Sequence, residues 1–359
     1  MRLQKTKAVG DVLAKKLIVA TGDVAQIFKE KPSNLLKING IGRNVTNQLF
    51  NKKNLELAEL EMEYIEQNNI AFSYFLDNDY PINLQQCIDA PILFFKDGNM
   101  DLNNDRIISI VGTRNMTSYG RGICQELIQG LKSHNPIIVS GFAYGVDICA
   151  HKEAVKNELQ TIAVLAHGFD QIYPKVHKKY INQVHKNGGF ITEFWHDENP
   201  LRENFLKRNR IVAGISQATI IIESAEKGGS LVTADIANSY SRDVFAIPGR
   251  TTDLFSKGCN QLIKTNKAGV ITSAEDIAKM LNWDLSKSKN SKPLQQQLFT
   301  ELNNQEQKVY DYLFENGKQL LDVIAIECQI PTYKLASLLL QLEMKNLVKP
   351  LPGKLFEVM

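Results

Sequence analysis

A chain of 359 residues is too long for one small domain and predicts two or three. Its formal net charge of +3, with 43% hydrophobic and 23% charged residues, allows a sizeable buried core and excludes a histone-like surface, so any nucleic-acid site must be a local patch. The five cysteines (Cys87, Cys124, Cys149, Cys259 and Cys328) are dispersed without a C-x-x-C pair and the six histidines are scattered, which predicts reduced thiols, no metal and no cofactor; no run of signal or membrane-span length appears, so a cytoplasmic protein with no membrane partner is expected.

Residues 1–68 follow a helical period through Val12, Leu13 and Leu17, then Val24, Ile27 and Phe28, then Leu55, Leu57, Ala58 and Leu60. Within them Leu35-Leu36-Lys37-Ile38 runs into Gly40-Ile41-Gly42-Arg43, ahead of a second helix expected over 44–50. This is a helix-hairpin-helix (SAM-like) pattern, whose turn glycines free backbone N–H groups to face a phosphate.

Residues 69–283 alternate short apolar strands with amphipathic helices. Strands are expected at 107–111, 137–140, 161–166, 189–192, 219–223, 244–247 and 270–272, and helices at 122–131, 147–155 and 231–240, among others. Near-continuous Ile/Val/Ala runs suit strands covered on both faces, so the class is α/β, with an extended Rossmann-like, doubly wound parallel sheet. One strand and a short helix are expected ahead of it, within 72–96. The polar stretch 284–300 reads as a linker. Residues 301–359 predict three helices and a small hairpin with a Pro352-Gly353 turn, a winged helix. Its recognition helix, expected over 332–345, carries only Lys334 and Lys345 against Glu343, too little basic character for a major-groove reader.

Three glycine turns follow three of the expected strands: Gly112 before Thr113-Arg114-Asn115, Gly141 and Gly145 within 140–147, and Gly228-Gly229 after Lys227. In a parallel sheet such turns share the carboxyl edge, where ligands bind. Glycine admits a phosphate close to the backbone, and a following helix start supplies N–H donors. Basic residues gather in the same stretches: Arg114, then Lys175, Lys178 and Lys179, then Arg202, Lys207, Arg208 and Arg210. Phe142, Tyr144, Phe169, Tyr173 and Phe205 are interleaved and can stack bases, although Phe142 and Phe205 also suit a core. No G-x-G-x-x-G, Walker loop or G-x-S-x-G elbow occurs. Asp147 and Ser230, at helix starts, read as caps, and Glu223 as the partner of an arginine.

Ser140-Gly141-Phe142-Ala143-Tyr144-Gly145-Val146-Asp147 with Ala150-His151, Phe205 with 208–216, Gly229-Ser230-Leu231-Val232-Thr233-Ala234, Pro248-Gly249 and Ser256-Lys257-Gly258-Cys259-Asn260 together resemble the DprA/Smf DNA-processing family. The resemblance covers the whole middle domain. It implies a homodimer that binds single-stranded DNA and loads RecA recombinase onto incoming DNA in natural transformation. It also implies DNA contacts at Arg114, Lys175, Asn209 and Arg210 and along the backbone near Gly141 and Gly229. With the glycine turns and their neighbours, the candidate set is Gly112, Arg114, Ser140, Gly141, Phe142, Lys175, Lys178, Asn209, Arg210, Gly229 and Ser230. One departure is Leu206-Lys207, where the family usually has proline after the phenylalanine. The alternative is an enzyme resembling the phosphoribohydrolases of the same Rossmann group. Their Pro-Gly-Gly-x-Gly-Thr loop is met here only by Lys227-Gly228-Gly229-Ser230-Leu231-Val232-Thr233, without the proline or the glutamate, so no enzyme is expected. A transcription factor led by the winged helix is opposed by the weakly basic recognition helix.

Overall fold

The computed structural model describes residues 1–283, 302–345, 347–351 and 354–358; the expected linker over 284–300 and the Pro352-Gly353 turn lie outside them. The chain divides into two units, Met1–Leu285 and Ser286–Met359.

The first unit is built on nine strands: β1 (Ala71–Tyr74), β2 (Leu93–Gly98), β3 (Ile107–Val111), β4 (Ile137–Ser140), β5 (Thr161–Val164), β6 (Gly188–Thr192), β7 (Ala218–Ile221), β8 (Asp243–Ala246) and β9 (Gly269–Val270). They lie in the order β1-β2-β6-β5-β4-β3-β7-β8-β9. Every pairing from β6 to β9 is parallel, while β1 and β2 run antiparallel at one end. The expected single strand within 72–96 is therefore two strands flanking the helix Ile82–Gln85.

Alternation along β3 shows why the sheet needs cover on both faces. Ile107 and Val111 join one apolar cluster, and Ile108 and Ile110 join another. Ser109, the polar member, donates its hydroxyl to the Val212 carbonyl at 2.5 Å. The first cluster also takes in Leu3, Leu17, Ile27, Leu35 and Leu49, so the N-terminal helices share a core with the sheet. Among those helices Pro32–Leu35 and Arg43–Leu49 flank Gly40, whose φ of +92° only glycine adopts freely.

The helix after β3 starts at Ser118, close behind the first glycine turn as the sequence leads one to expect and ahead of the amphipathic stretch 122–131, and Thr117 caps it by accepting from Gly120 N. From β3 the chain winds one way through β4, β5 and β6 and the other way through β7, β8 and β9. The reversal lies between β3 and β7, the place where a doubly wound sheet opens a crevice at its carboxyl edge.

The second unit holds helices Asn304–Asn316, Leu321–Glu327 and Thr332–Met344 and strands β10 (Gln319–Leu320), β11 (Val348–Leu351) and β12 (Leu355–Val358), in the order β10-β12-β11. Val309, Leu313, Ile324, Leu335, Leu339 and Leu342 form its core, as a winged helix requires. Its third helix exposes Tyr333 and Met344. Among the described residues no single helix is long and apolar enough to cross a membrane.

Candidate nucleic-acid interface

A cleft of about 730 Å³ opens at the carboxyl edge across the reversal point. Gly112, Thr113, Arg114 and Asn115 line it from the end of β3, Gly141 and Ala143 from the end of β4, and Ala225, Lys227, Gly228, Gly229 and Ser230 from the loop after β7. The helix Arg202–Ile215 closes one side with Arg202, Phe205, Arg208 and Asn209.

The glycines are there for two different reasons. A Cβ on Gly112 would lie 2.5 Å from Val146 Cγ2, and one on Gly141 would lie 2.2 Å from an Arg208 nitrogen. Those two let neighbours close in behind the cleft. Gly229 has nothing within 4 Å, so it leaves bare backbone at the start of the helix Gly229–Ser239. There Leu231 N already donates to Gly228 O, while the amides of Gly229 and Ser230 precede the first intrahelical hydrogen bonds, the kind of helix start that can receive an anion.

Four cations, Arg114, Arg202, Arg208 and Lys227, line the cleft against one anion, Asp147. Arg208 is buried and structural. Its Nη1 donates to the carbonyls of Gly141 at 2.7 Å and Val164 at 2.5 Å, tying the loop after β4 to the end of β5. Burial pushes its guanidinium down to about 10, with Asp147 opposing. Burial likewise raises the Asp147 carboxyl above its ordinary range, and Arg208 pulls it back. By contrast Arg114, Arg202 and Lys227 form no ion pair with any described residue. Arg114 lies over the half-buried Phe205 ring at 5.2 Å, and Phe205 meets Tyr173 edge-on at 5.4 Å. Free cations beside aromatic rings suit a nucleic-acid strand, with phosphates on the cations and bases on the rings.

Of the sequence candidates, Gly112, Arg114, Gly141, Asn209, Gly229 and Ser230 line this cleft. Lys175 and Lys178 do not line it. They are exposed on the turn Lys175–Tyr180, just beyond the cleft-lining Tyr173. Ser140 is buried, its hydroxyl donating to Ile110 O at 2.6 Å. Phe142 does not line the cleft either, although its neighbours Gly141 and Ala143 do. A φ of +59° turns its ring away from the cleft, against His151, His177 and Phe190.

Arg210 is the largest correction. It faces away from the cleft and pairs with Glu193 at 2.5 Å and Asp11 at 3.1 Å, while Nη1 donates to the Asp89 carbonyl. Burial lowers its pKa, but Glu193, Asp11 and Asp89 outweigh burial and raise it. Lys207 also pairs with Glu193, at 2.9 Å. The cap readings change too. Asp147 accepts from Ala143 N at 3.3 Å instead of capping, and Ser230 donates to the Ser224 hydroxyl at 2.9 Å. Among the described residues Glu223 pairs with no arginine. It accepts from the N–H and the hydroxyl of Thr117, bracing the helix that leaves the first glycine turn. Leu206-Lys207 makes no break, since the helix Arg202–Ile215 runs through it.

Two family descriptions match the sequence: DNA recombination-mediator protein A over residues 71–282 and the DprA winged helix domain over residues 293–354. The chain belongs to this DprA/Smf family. The family's DNA processing protein DprA from Streptococcus pneumoniae is 34% identical over 273 residues, covering 70% of this chain and 96% of that one. The DprA of Bacillus subtilis is 36% identical over 225 residues, covering 62% and 74%. In three dimensions the S. pneumoniae DprA structure superposes with a TM-score of 0.67 at 32% identity, over 77% of this chain and 95% of that one. DNA processing protein A from Helicobacter pylori, a structure described for its single-stranded DNA binding mode, superposes with a TM-score of 0.53 at 31% identity, over 59% and 95%.

Unlike the glycine turns, Arg202 and Lys227 were not marked as site residues by sequence. Both stand in stretches that the sequence flags, one in the basic run and one in the third glycine turn. Their free guanidinium and ammonium groups become evident only when the pairing of their neighbours is known.

Proposed function

We propose that this chain binds single-stranded DNA in the carboxyl-edge cleft and, as a homodimer in the cytoplasm, hands the strand to a RecA-type recombinase without catalysis of its own. The observation that carries this reading is the convergence of three unpaired cations, Arg114, Arg202 and Lys227, with the open backbone at Gly229 in one cleft. Phosphates lie on Arg114, Arg202, Lys227 and the helix start at Gly229. Bases lie toward Phe205 and Tyr173, and Asn209 offers a side-chain amide beside them. Lys175 and Lys178 extend the positive rim past Tyr173 and catch phosphates that leave the cleft. The relationship to the H. pylori protein, described for its single-stranded DNA binding mode, supports the choice of ligand. Mediator action is supported by membership of a recombination-mediator family. Two clefts on a dimer would add avidity along one strand.

Fluorescence anisotropy with labelled oligo-dT and a matched duplex, over a salt series, tests the reading. Preference for the single strand, weakened by salt and by Arg114→Ala, is the expected result. Equal affinity for strand and duplex, or release of free base from a panel of nucleoside monophosphates, would overturn it in favour of the enzyme alternative. RecA filament formation on DNA precoated with a single-strand-binding protein, with and without this chain, tests the handover.

A further inference from the structure

The carboxyl edge continues beyond the cleft to the end of β8. A second hollow of about 570 Å³ lies there, lined by Tyr119, Pro248, Gly249, Arg250 and Asp253. Tyr119 is the second residue of the helix Ser118–Gly130, which begins just after the cleft-lining Asn115. The segment 248–253 leaves β8, and β8 lies beside β7, whose outgoing loop lines the cleft. The two hollows are therefore neighbours along one edge.

The second hollow is a built structure. Tyr119 is 47% exposed, yet its hydroxyl donates to the Pro248 carbonyl at 2.8 Å, which holds the ring in place. The turn beneath is braced by Asn260, whose side chain accepts from Gly249 N at 3.1 Å and donates to Gly249 O at 2.9 Å. A Cβ on Gly249 would fall 2.0 Å from Ser256 Oγ. These contacts give the Pro248-Gly249 and Ser256 to Asn260 motifs a task that the cleft does not. Arg250 leaves the braced turn exposed, and its guanidinium makes no hydrogen bond or ion pair with the described residues.

We propose that this hollow is a second subsite for the same DNA strand, with a base stacked on Tyr119 and the adjoining phosphate on Arg250. The proposal rests on the single-strand reading of the cleft and extends its footprint. An aromatic ring already immobilised by its hydroxyl loses little freedom when a base stacks on it. Stacking is indifferent to sequence, as a handover protein requires. Asp253 leaves the subsite electrically neutral, so the ring dominates and the carboxylate weakens the phosphate contact.

The test is anisotropy of the full chain with two oligo-dT lengths, about four nucleotides to fill the cleft alone and about twenty to run past it. Tyr119→Ala should weaken binding of the long oligomer about tenfold and leave the short one unchanged. Tyr119→Phe, which keeps the ring, should stay within about twofold of wild type. Arg250→Ala should weaken the long oligomer and lower its salt slope by about 0.7, while Asp253→Asn should tighten it. Both of these change exposed side chains and spare the fold. The proposal is overturned if the long oligomer ignores Tyr119→Ala and Arg250→Ala, or if both lengths weaken alike. Wild-type protein that binds neither length would remove the cleft reading itself, an outcome distinct from loss of the second subsite alone.

Discussion

The helix Arg202–Ile215 presents arginines to two regions that treat charge in opposite ways. On the cleft side Arg202 stands unpaired beside Arg114 and Lys227. On the inner side Arg210 is consumed by Glu193 and Asp11, with Lys207 sharing the same glutamate. The difference teaches that a basic run is not a binding site. Pairing decides which cations are left for a ligand, and the carboxylates that decide it come from the residue just after β6 and from the first residue of the helix Asp11–Thr21.

That contrast can be broken by experiment. Arg210→Ala leaves the buried Glu193 with only the half-exposed Lys207, and Asp11 without its arginine, and should cost about 3 kcal/mol in a urea melt. DNA affinity of the folded protein should not change, and a large loss of affinity with intact stability would place Arg210 in the interface after all. A smaller effect comes from pH. Where Arg210 is kept charged by partners, His151 is kept neutral by burial, its pKa pushed down to about 3 from 6.5. Its Nδ1 donates to Thr161 Oγ1, which itself donates to Ile138 O. Between those two values the unfolded chain binds the extra proton, so stability falls with acid. About 2 kcal/mol should be lost from pH 7 to pH 5, and His167 and His177, also lowered by burial, add to the same slope. Urea midpoints that stay level across this range would remove the claim.

At the cleft the effects move from stability to affinity. Arg114→Ala should weaken single-strand binding about tenfold at low salt, lower the salt slope by about 0.7 and leave the melt unchanged. Lys227→Ala, a mobile point charge at the helix start, should do the same with a severalfold loss. If Lys207→Ala matched Lys227→Ala in affinity, the division between paired and free cations would fail.

The sheet was legible because β3 to β7 are buried on both faces and spell themselves as apolar runs. The end of β5 was not, since Leu165 and Ala166 are equally apolar and buried but continue as loop. The cleft was legible through its glycine turns. Of Arg208 and Arg210, the sequence reading chose Arg210 as the ligand contact, and it is Arg208 that lines the cleft. Two positions apart on a helix they point roughly 200° from each other, which says that they differ but not which one meets the ligand. Glu223 was misread for a related reason: its partner is the backbone and hydroxyl of Thr117, and no charge pattern announces a carboxylate held by a helix start.

Gly141 and Arg208 lie 67 positions apart, yet they constitute one heritable character. Any side chain at 141 would occupy the space of the guanidinium, and any shorter residue at 208 would strand the carbonyls of Gly141 and Val164. A side chain at 141 would have to push the guanidinium off the carbonyls that it holds, so a change at either position is felt at the other. A lineage that altered the floor of the cleft would have to change both at once, or lose the floor first and rebuild it.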